Sequence, residues 1–280
     1  MKAFLQRDLS RRDAFAIVVG CIIGAGIFRA PASVAGQIAD PFLILAVWAA
    51  GGLFSLAGAL TYAELSTLYP KTGGDYVYIK ETYGPLTGFL FGWTKLFIER
   101  TGTIAILAFV FAEYLGYVFG YPGEFCKYVA LGAIAFLTSA NILGLKYGKN
   151  IQNLFTLLKV AAIVSIISLG LVFLPHEMST NGVVLFRNSQ AALSPSLISA
   201  AGVGLIYVFW TYSGWGEAVY VAEEIREPEK NVPWAVIGGL GFVTALYLLI
   251  NFAYLLYLTP AEIKTSGLVA ALMMERIVGP

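Results

Sequence analysis

A chain of 280 residues that is 58% hydrophobic and only 12% charged carries about half the roughly 25% charge of an average soluble domain. With a mean hydropathy of +0.76, it reads as an all-α polytopic membrane protein. A net charge of +1 argues against a nucleic-acid partner; Cys21 and Cys126 supply no disulfide framework, and the single His176 cannot build a multi-histidine metal site. The sequence contains neither a phosphate-cradling glycine loop nor a nucleophile elbow. It calls for no cofactor, no metal and no enzyme active site.

The N-terminal tail, 1–13, carries Lys2, Arg7, Arg11 and Arg12. The apolar run that follows, 14–28, has about 15 residues, short of the roughly 20 that a helix needs to cross a bilayer. Its length and the Ala30-Pro31-Ala32 triplet also suit a cleaved signal peptide. Gly24 and Gly26 weaken the helix where it should still be in lipid, and irregular backbone at that depth is tolerated only inside protein or along a cavity. The run is therefore expected to be a broken helix over 14–34. Six further spans are expected at 41–60, 85–119, 128–143, 151–174, 196–222 and 233–258. The span at 85–119 is long enough to be tilted or to project from the membrane. The span at 196–222 is interrupted around Tyr212-Ser213-Gly214-Trp215-Gly216.

Orientation follows from Lys and Arg in the loops. With the N-terminus cytoplasmic, ten such residues fall inside (Lys2, Arg7, Arg11, Arg12, Lys71, Lys80, Lys146, Lys149, Arg226, Lys230) against four outside (Arg29, Lys127, Arg187, Lys264). That bias favours a multi-pass cell-membrane protein with its N-terminus inside and an uncleaved first segment. The first and sixth spans are both interrupted and lie five apart. A second set of five would then enter from the opposite face, as in an inverted repeat. Residues 14–174 form the first repeat and 196–280 an incomplete second one. The stretch 266–275 is expected to approach another helix, and the chain, stopping at Gly279-Pro280, reads as a fragment.

Candidate site residues cluster at the two interruptions. Gly24, Ala25 and Gly26 offer free amides at a half-helix end, whose positive dipole favours a carboxylate. The carbonyls of Ile22 and Ile23 suit an ammonium, so one break fits an α-amino acid. Small residues also let helices pack closely, and both readings stand. Trp210, Tyr212 and Trp215 flank the second break as pocket walls or as ordinary packing. Lys95, Arg100 and Lys159 are basic residues inside spans, each costing about 2.5–3.5 kcal/mol at mid-membrane. Lys95 and Glu99 are spaced to pair on one helix face. Lys159 suits either a proton carrier or a structural cation held by the carbonyls of a broken helix. Glu217 suits a proton-carrying residue or a solvated cavity acid. The charged run from Glu223 to Lys230 reads as a solvated cytoplasmic loop.

These residues carry a resemblance. Gly24-Ala25-Gly26-Ile27-Phe28 resembles the first-helix Gly-Ser-Gly-Ile-Phe motif of the amino acid–polyamine–organocation superfamily, in its L-type amino acid transporter branch. Tyr62-Ala63-Glu64-Leu65 with Pro70-Lys71-Thr72-Gly73-Gly74-Asp75-Tyr76, Gln152-Asn153-Leu154-Phe155-Thr156 leading to Lys159, and Tyr212-Ser213-Gly214-Trp215 with Glu223-Glu224 are similar to that family's later motifs, from about Asp13 to the end. The resemblance implies a LeuT-type fold of five-plus-five inverted repeats, here truncated after about seven helices. It implies secondary active transport of an amino acid by alternating access, with the substrate carboxylate on the amides of Ala25 and Gly26 and Gly24 allowing the turn. The ammonium would meet carbonyls of Ile22, Trp210 and Ser213, with Trp210 as an aromatic gate and Tyr212 beside it. Lys159 stands where some members carry a lysine in place of sodium, which implies proton coupling or exchange. Ala25 departs from the usual Ser, and Gly216 from the usual Asn or Asp. Some members pair with a single-span glycoprotein; the sequence names no partner subunit. The rival reading is a membrane sensor that binds an amino acid without moving it.

Overall fold

The computed structural model describes residues 7–142, 145–173 and 195–279. Lys2, His176 and Arg187 lie outside them. The described residues are helical, apart from turns and one parallel bridge between Leu9 and Ile225.

Helix α1 (Arg11–Ile22) starts at a capping box, with the Ser10 and Asp13 side chains each accepting from the other's backbone amide. It stops at Ile23, which is extended, and α2 (Gly26–Gln37) leaves at 40°. Helix α3 (Pro41–Leu68) begins with Pro41 at its first turn, and the Asp40 carboxylate accepts from the Leu43 amide at 2.8 Å. Two glycines with positive φ, Gly73 and Gly74, turn the chain into α4 (Asp75–Tyr83). The stretch 85–119 is helical throughout, as α5 (Pro85–Thr94), a π-helical turn (Lys95–Arg100) and α6 (Thr101–Phe119). Then come α7 (Cys126–Ile142), α8 (Leu145–Val172) and α9 (Pro195–Tyr212). A tight 3₁₀ stretch, Trp215–Glu224, follows α9, and α10 (Pro228–Tyr257) follows that.

Among the described residues five helices are long and apolar enough to cross a membrane, six if α1 and α2 count as one bent span. The chain is a multi-pass membrane protein. A short helix, α11 (Pro260–Thr265), follows α10, and the stretch 266–275 runs into α12 (Val269–Val278).

Among the described residues the buried side chains form two clusters. The larger draws on α1, α2, α3, α8, α9 and α10, with Trp48, Tyr212, Tyr247 and Tyr254 among its largest members; the smaller joins Ala108 and Ala112 of α6 to Ala130 of α7. Without a hydrophobic driving force between helices in lipid, close packing depends on small residues at the contacts. Gly239 of α10 is one: a Cβ there would stand 2.7 Å from Val18 Cγ1 of α1. Both breaks consequently lie inside the larger cluster, where the freed backbone groups can be met by protein.

Candidate functional site

The two breaks face one another. Gly214, with a φ of 105°, caps the 3₁₀ stretch, and a Cβ on it would stand 2.8 Å from the Cys21 carbonyl oxygen. Gly26, the first residue of α2, meets Thr211 in the last turn of α9: a Cβ there would lie 3.1 Å from Thr211 Cγ2 and 3.3 Å from its Cα. Each half of one broken span thus packs on the other break. Among the described residues Gly24 and Gly26 do not have positive φ. Gly26 is required by this close approach, and a Cβ on Gly24 would meet nothing within 4 Å.

A carbonyl in the last turn of a helix loses its intrahelical partner. The Tyr247 hydroxyl of α10 donates to the Ile22 carbonyl at 3.0 Å and lies 3.5 Å from the Thr211 carbonyl. The Trp210 carbonyl accepts from Ser213 through both Oγ, at 2.6 Å, and the backbone amide, at 3.3 Å. Of the carbonyls expected to receive an ammonium, those of Ile22 and Trp210 therefore already have a donor. At the opposite end, α2 begins at Ala25 without a side-chain cap.

Helix α8 lies along α1 and donates hydrogen bonds to it, Gln152 Nε2 to Cys21 Sγ at 4.0 Å and three more from one face. Asn153 Nδ2 reaches Asp13 Oδ1 at 2.9 Å, Thr156 Oγ1 the Ala16 carbonyl at 3.2 Å, and Lys159 Nζ the Gly20 carbonyl at 3.2 Å. Asn153, Thr156 and Lys159 are spaced by three, so they share one face of α8. In an unbroken helix the Gly20 carbonyl would take the Gly24 amide; the ammonium of Lys159 stands in for it.

The expected aromatic residues separate. Tyr212 is fully buried, its hydroxyl donating to the Trp48 carbonyl at 3.3 Å, and its ring packs with Trp48 and Tyr247. Trp210 is 58% exposed. Trp215 packs edge-on against Tyr62 at 4.8 Å.

Each break also borders a cavity. One of about 420 Å³ is lined by Ala25, Phe28, Tyr114 and the stretch from Leu268 to Ala271. The other, about 410 Å³, is lined by residues that include Tyr76, Lys95, Arg100, Glu217 and Tyr220. In the second, Arg100 Nη2 reaches both carboxylate oxygens of Glu217, at 2.6 and 2.7 Å; Lys95 pairs with Glu99 at 2.9 Å, as the spacing predicts, and with Asp75 at 3.8 Å. The Tyr220 hydroxyl donates to Asp75 at 2.6 Å. Sequence reasoning singled out Arg100 and Glu217 separately but not their pairing, and it missed Thr211 and Tyr247 altogether.

The model of the family described as amino acid permease matches residues 9–280. Among curated relatives, b(0,+)-type amino acid transporter 1 of Mus musculus is 36% identical over 99% of this chain and 56% of its own length. The serine/threonine exchanger SteT of Bacillus subtilis is 36% identical over 94% of this chain and 58% of its own. The cystine/glutamate transporter of Homo sapiens is 32% identical over 99% and 55%. The chain thus spans little more than half the length of these relatives.

Proposed function

Since the chain belongs to the amino acid permease family of the amino acid–polyamine–organocation superfamily, we propose that the protein of which it forms part moves amino acids across the cell membrane by alternating access. The observation that carries this reading is the abutment of the two breaks, Gly214 on the Cys21 backbone and Gly26 on Thr211. It brings a helix N-terminus, which favours a carboxylate, beside the carbonyl ends of two other half-helices, which favour an ammonium. The substrate carboxylate sits on the amides of Ala25 and Gly26, beside Gly24. Its ammonium sits among the carbonyls of Ile22, Trp210 and Ser213, taking acceptor capacity that the resident donors leave, since a carbonyl has two lone pairs. Tyr212 backs the site from the core, and Trp210 gates it.

The names of the relatives cover serine and threonine on one side and cystine and glutamate on the other. What those substrates share is the α-amino-acid backbone, and the proposed contacts are all to it. The fold is the LeuT-type five-plus-five inverted repeat with α1–α2 and α9 with its 3₁₀ stretch as the opening spans of the halves, and the N-terminus is cytoplasmic. Lys159 is the coupling residue: a neutral amine still has hydrogens to donate to the Gly20 carbonyl, so a proton can come and go without undoing the contact.

Uptake of labelled amino acids into proteoliposomes holding the full-length parent, with and without an inward proton gradient, tests this. Accumulation driven by the gradient, or uptake dependent on preloaded amino acid, is expected. Binding without flux would favour a sensor, and neither binding nor flux would sink the reading.

A further inference from the structure

The amino-acid reading uses the near end of the 3₁₀ stretch and leaves its far end, Glu224, without a role. There Ile225 turns extended and pairs in parallel with Leu9, just ahead of α1. The Leu9 amide donates to the Glu224 carbonyl and the Arg226 amide to the Leu9 carbonyl, each at 2.9 Å. Leu9 and Ile225 are both buried. Neighbours along an extended chain point to opposite faces, so Asp8 and Glu224 emerge together on the other side of the bridge. Asp8 is exposed, whereas Oε2 of Glu224 is buried and has no hydrogen-bond partner among the described residues. A buried carboxylate without a donor is costly, and two carboxylates at one site resist joint ionisation.

Among the described residues Asp8 is the charged group that acts on Glu224. The cations of the surrounding elements are engaged elsewhere. Arg226 Nε donates to the Arg7 carbonyl at 3.1 Å, Lys230 pairs with Glu227 at 3.0 Å, Lys71 pairs with Glu81 at 3.8 Å, and the Arg11 guanidinium lies 3.8 Å over the Trp234 ring. Arg7 and Arg12 are exposed. Of the acids, Asp13 accepts from Ser10 and Asn153, and Glu223, whose amide donates to Thr72 Oγ1 at 3.3 Å, adds a second negative charge beside Glu224.

We propose that Glu224 keeps a proton and donates it to Asp8 in a hydrogen bond between the two carboxyl groups, and that this contact tightens the Leu9–Ile225 bridge into a pH-sensitive join between the entry to α1 and the 3₁₀ stretch. As pH rises the proton leaves to solvent past the exposed Asp8. Two carboxylates then face one another and the bridge loosens. A proton bound more tightly by the folded chain stabilises it fully at low pH, and that contribution disappears as pH rises through the folded value. The join is thus closed in acid and opens in base, whatever the substrate.

The test is hydrogen exchange on the full-length parent in detergent, read by mass spectrometry in the peptides that hold the Leu9 and Arg226 amides, at about pH 5.5 and about pH 8 and corrected for intrinsic rates. These two amides are the donors across the bridge. In the wild type their protection is expected to fall roughly two- to tenfold from the lower pH to the higher, the worth of one net hydrogen bond. Glu224→Gln is neutral at both values and its amide can still donate to Asp8, so protection should stay at the acid level throughout. Asp8→Asn removes the facing charge and should shrink the difference as well. Residues 259–279 are the internal control and should exchange alike at both values, because the Glu262 carboxyl, held below its ordinary range, is ionised at each. Wild-type protection that is equal or higher at the upper pH, a fall shared by 259–279, or a difference that survives in Glu224→Gln overturns the proposal. Should Glu224→Gln not be recovered folded, Asp8→Asn, at an exposed position, decides: a difference as large as in the wild type overturns it. No substrate enters the measurement, so its outcome is independent of the amino-acid reading.

Discussion

Gly24, Gly26 and Gly214 all belong to breaks, but the neighbouring helix gives each a different constraint. Gly24→Ala should change stability by less than about 0.5 kcal/mol, the usual range for a substitution that touches nothing, because its Cβ enters open space. Thermal unfolding in detergent checks it, and any loss of amino-acid binding in that variant then reports on the ligand alone. Gly26→Ala drives a Cβ into Thr211 and should cost about 1–3 kcal/mol, as overpacking does. Adding Thr211→Ala removes Cγ2 and Oγ1, two of the three close atoms, and should recover part of the loss. Gly214→Ala has no such rescue: its φ of 105° disfavours a side chain and the nearest atom is the backbone oxygen of Cys21. Lys159→Ala should flatten the pH profile of transport while uptake driven by preloaded substrate persists; an unchanged profile would make Lys159 a structural cation. The positions of the breaks were legible in the sequence, because paired glycines in a short apolar run weaken any helix. What each glycine does was not, since that depends on which atom of which other helix stands opposite it. Tyr247 left no signal at all: a tyrosine in an apolar helix is ordinary until the carbonyls it reaches are known.

At the scale of elements, the stretch formed by α5, the π turn and α6 is tied to the segments that follow the breaks by two ion pairs. Arg100 holds Glu217 in the 3₁₀ stretch, and Glu113 lies 3.6 Å from Arg29 in α2. Arg100 and Glu113 are thirteen residues apart, about 20 Å along a helix, so the two pairs act at separate levels. Glu217→Ala leaves the half-buried guanidinium without its carboxylate and should cost about 1.5–3 kcal/mol, the range for hydrogen bonds to charged groups. Exchanging the charges, Arg100→Glu with Glu217→Arg, should restore much of it in the same unfolding measurement. The Lys95–Glu99 pair was readable from its four-residue spacing. Arg100 and Glu217 are 117 positions apart, and no local pattern could have joined them.

At the scale of the whole molecule, the segment after α10 folds back over the larger cluster. Met273 packs on Gly170 of α8, and Arg276 donates to the Tyr257 carbonyl and to Glu262. The Thr259 amide and hydroxyl, then Arg276, hold the Glu262 carboxyl below its ordinary range. A carboxyl lowered by folding stabilises fully above its unfolded value, about 4.3, and that contribution disappears as pH falls through the folded value. Hydrogen exchange across 259–279, corrected for intrinsic rates, should therefore be faster at pH 3.5 than at pH 7, and Glu262→Gln should abolish the difference. The rough limits of most spans were legible because apolar length is dictated by the bilayer, but not their number: seven were expected, and five or six helices among the described residues are long and apolar enough to cross, because the π turn divides 85–119. The short helix α11 was not legible either, because it rests on its capping box at Thr259 and Glu262.

The bridge between Leu9 and Ile225 has a mechanical consequence. Leu9 donates to the Glu224 carbonyl and accepts from the Arg226 amide, each at 2.9 Å. The lead-in to α1 is thereby stitched to the far end of the 3₁₀ stretch, just as Gly214 is wedged against the other end of α1. Coupled at both extremities, the two pieces form a single lever arm. A tilt imposed on α1 transmits to the 215–224 stretch without slack, unless the stitch is first unpicked.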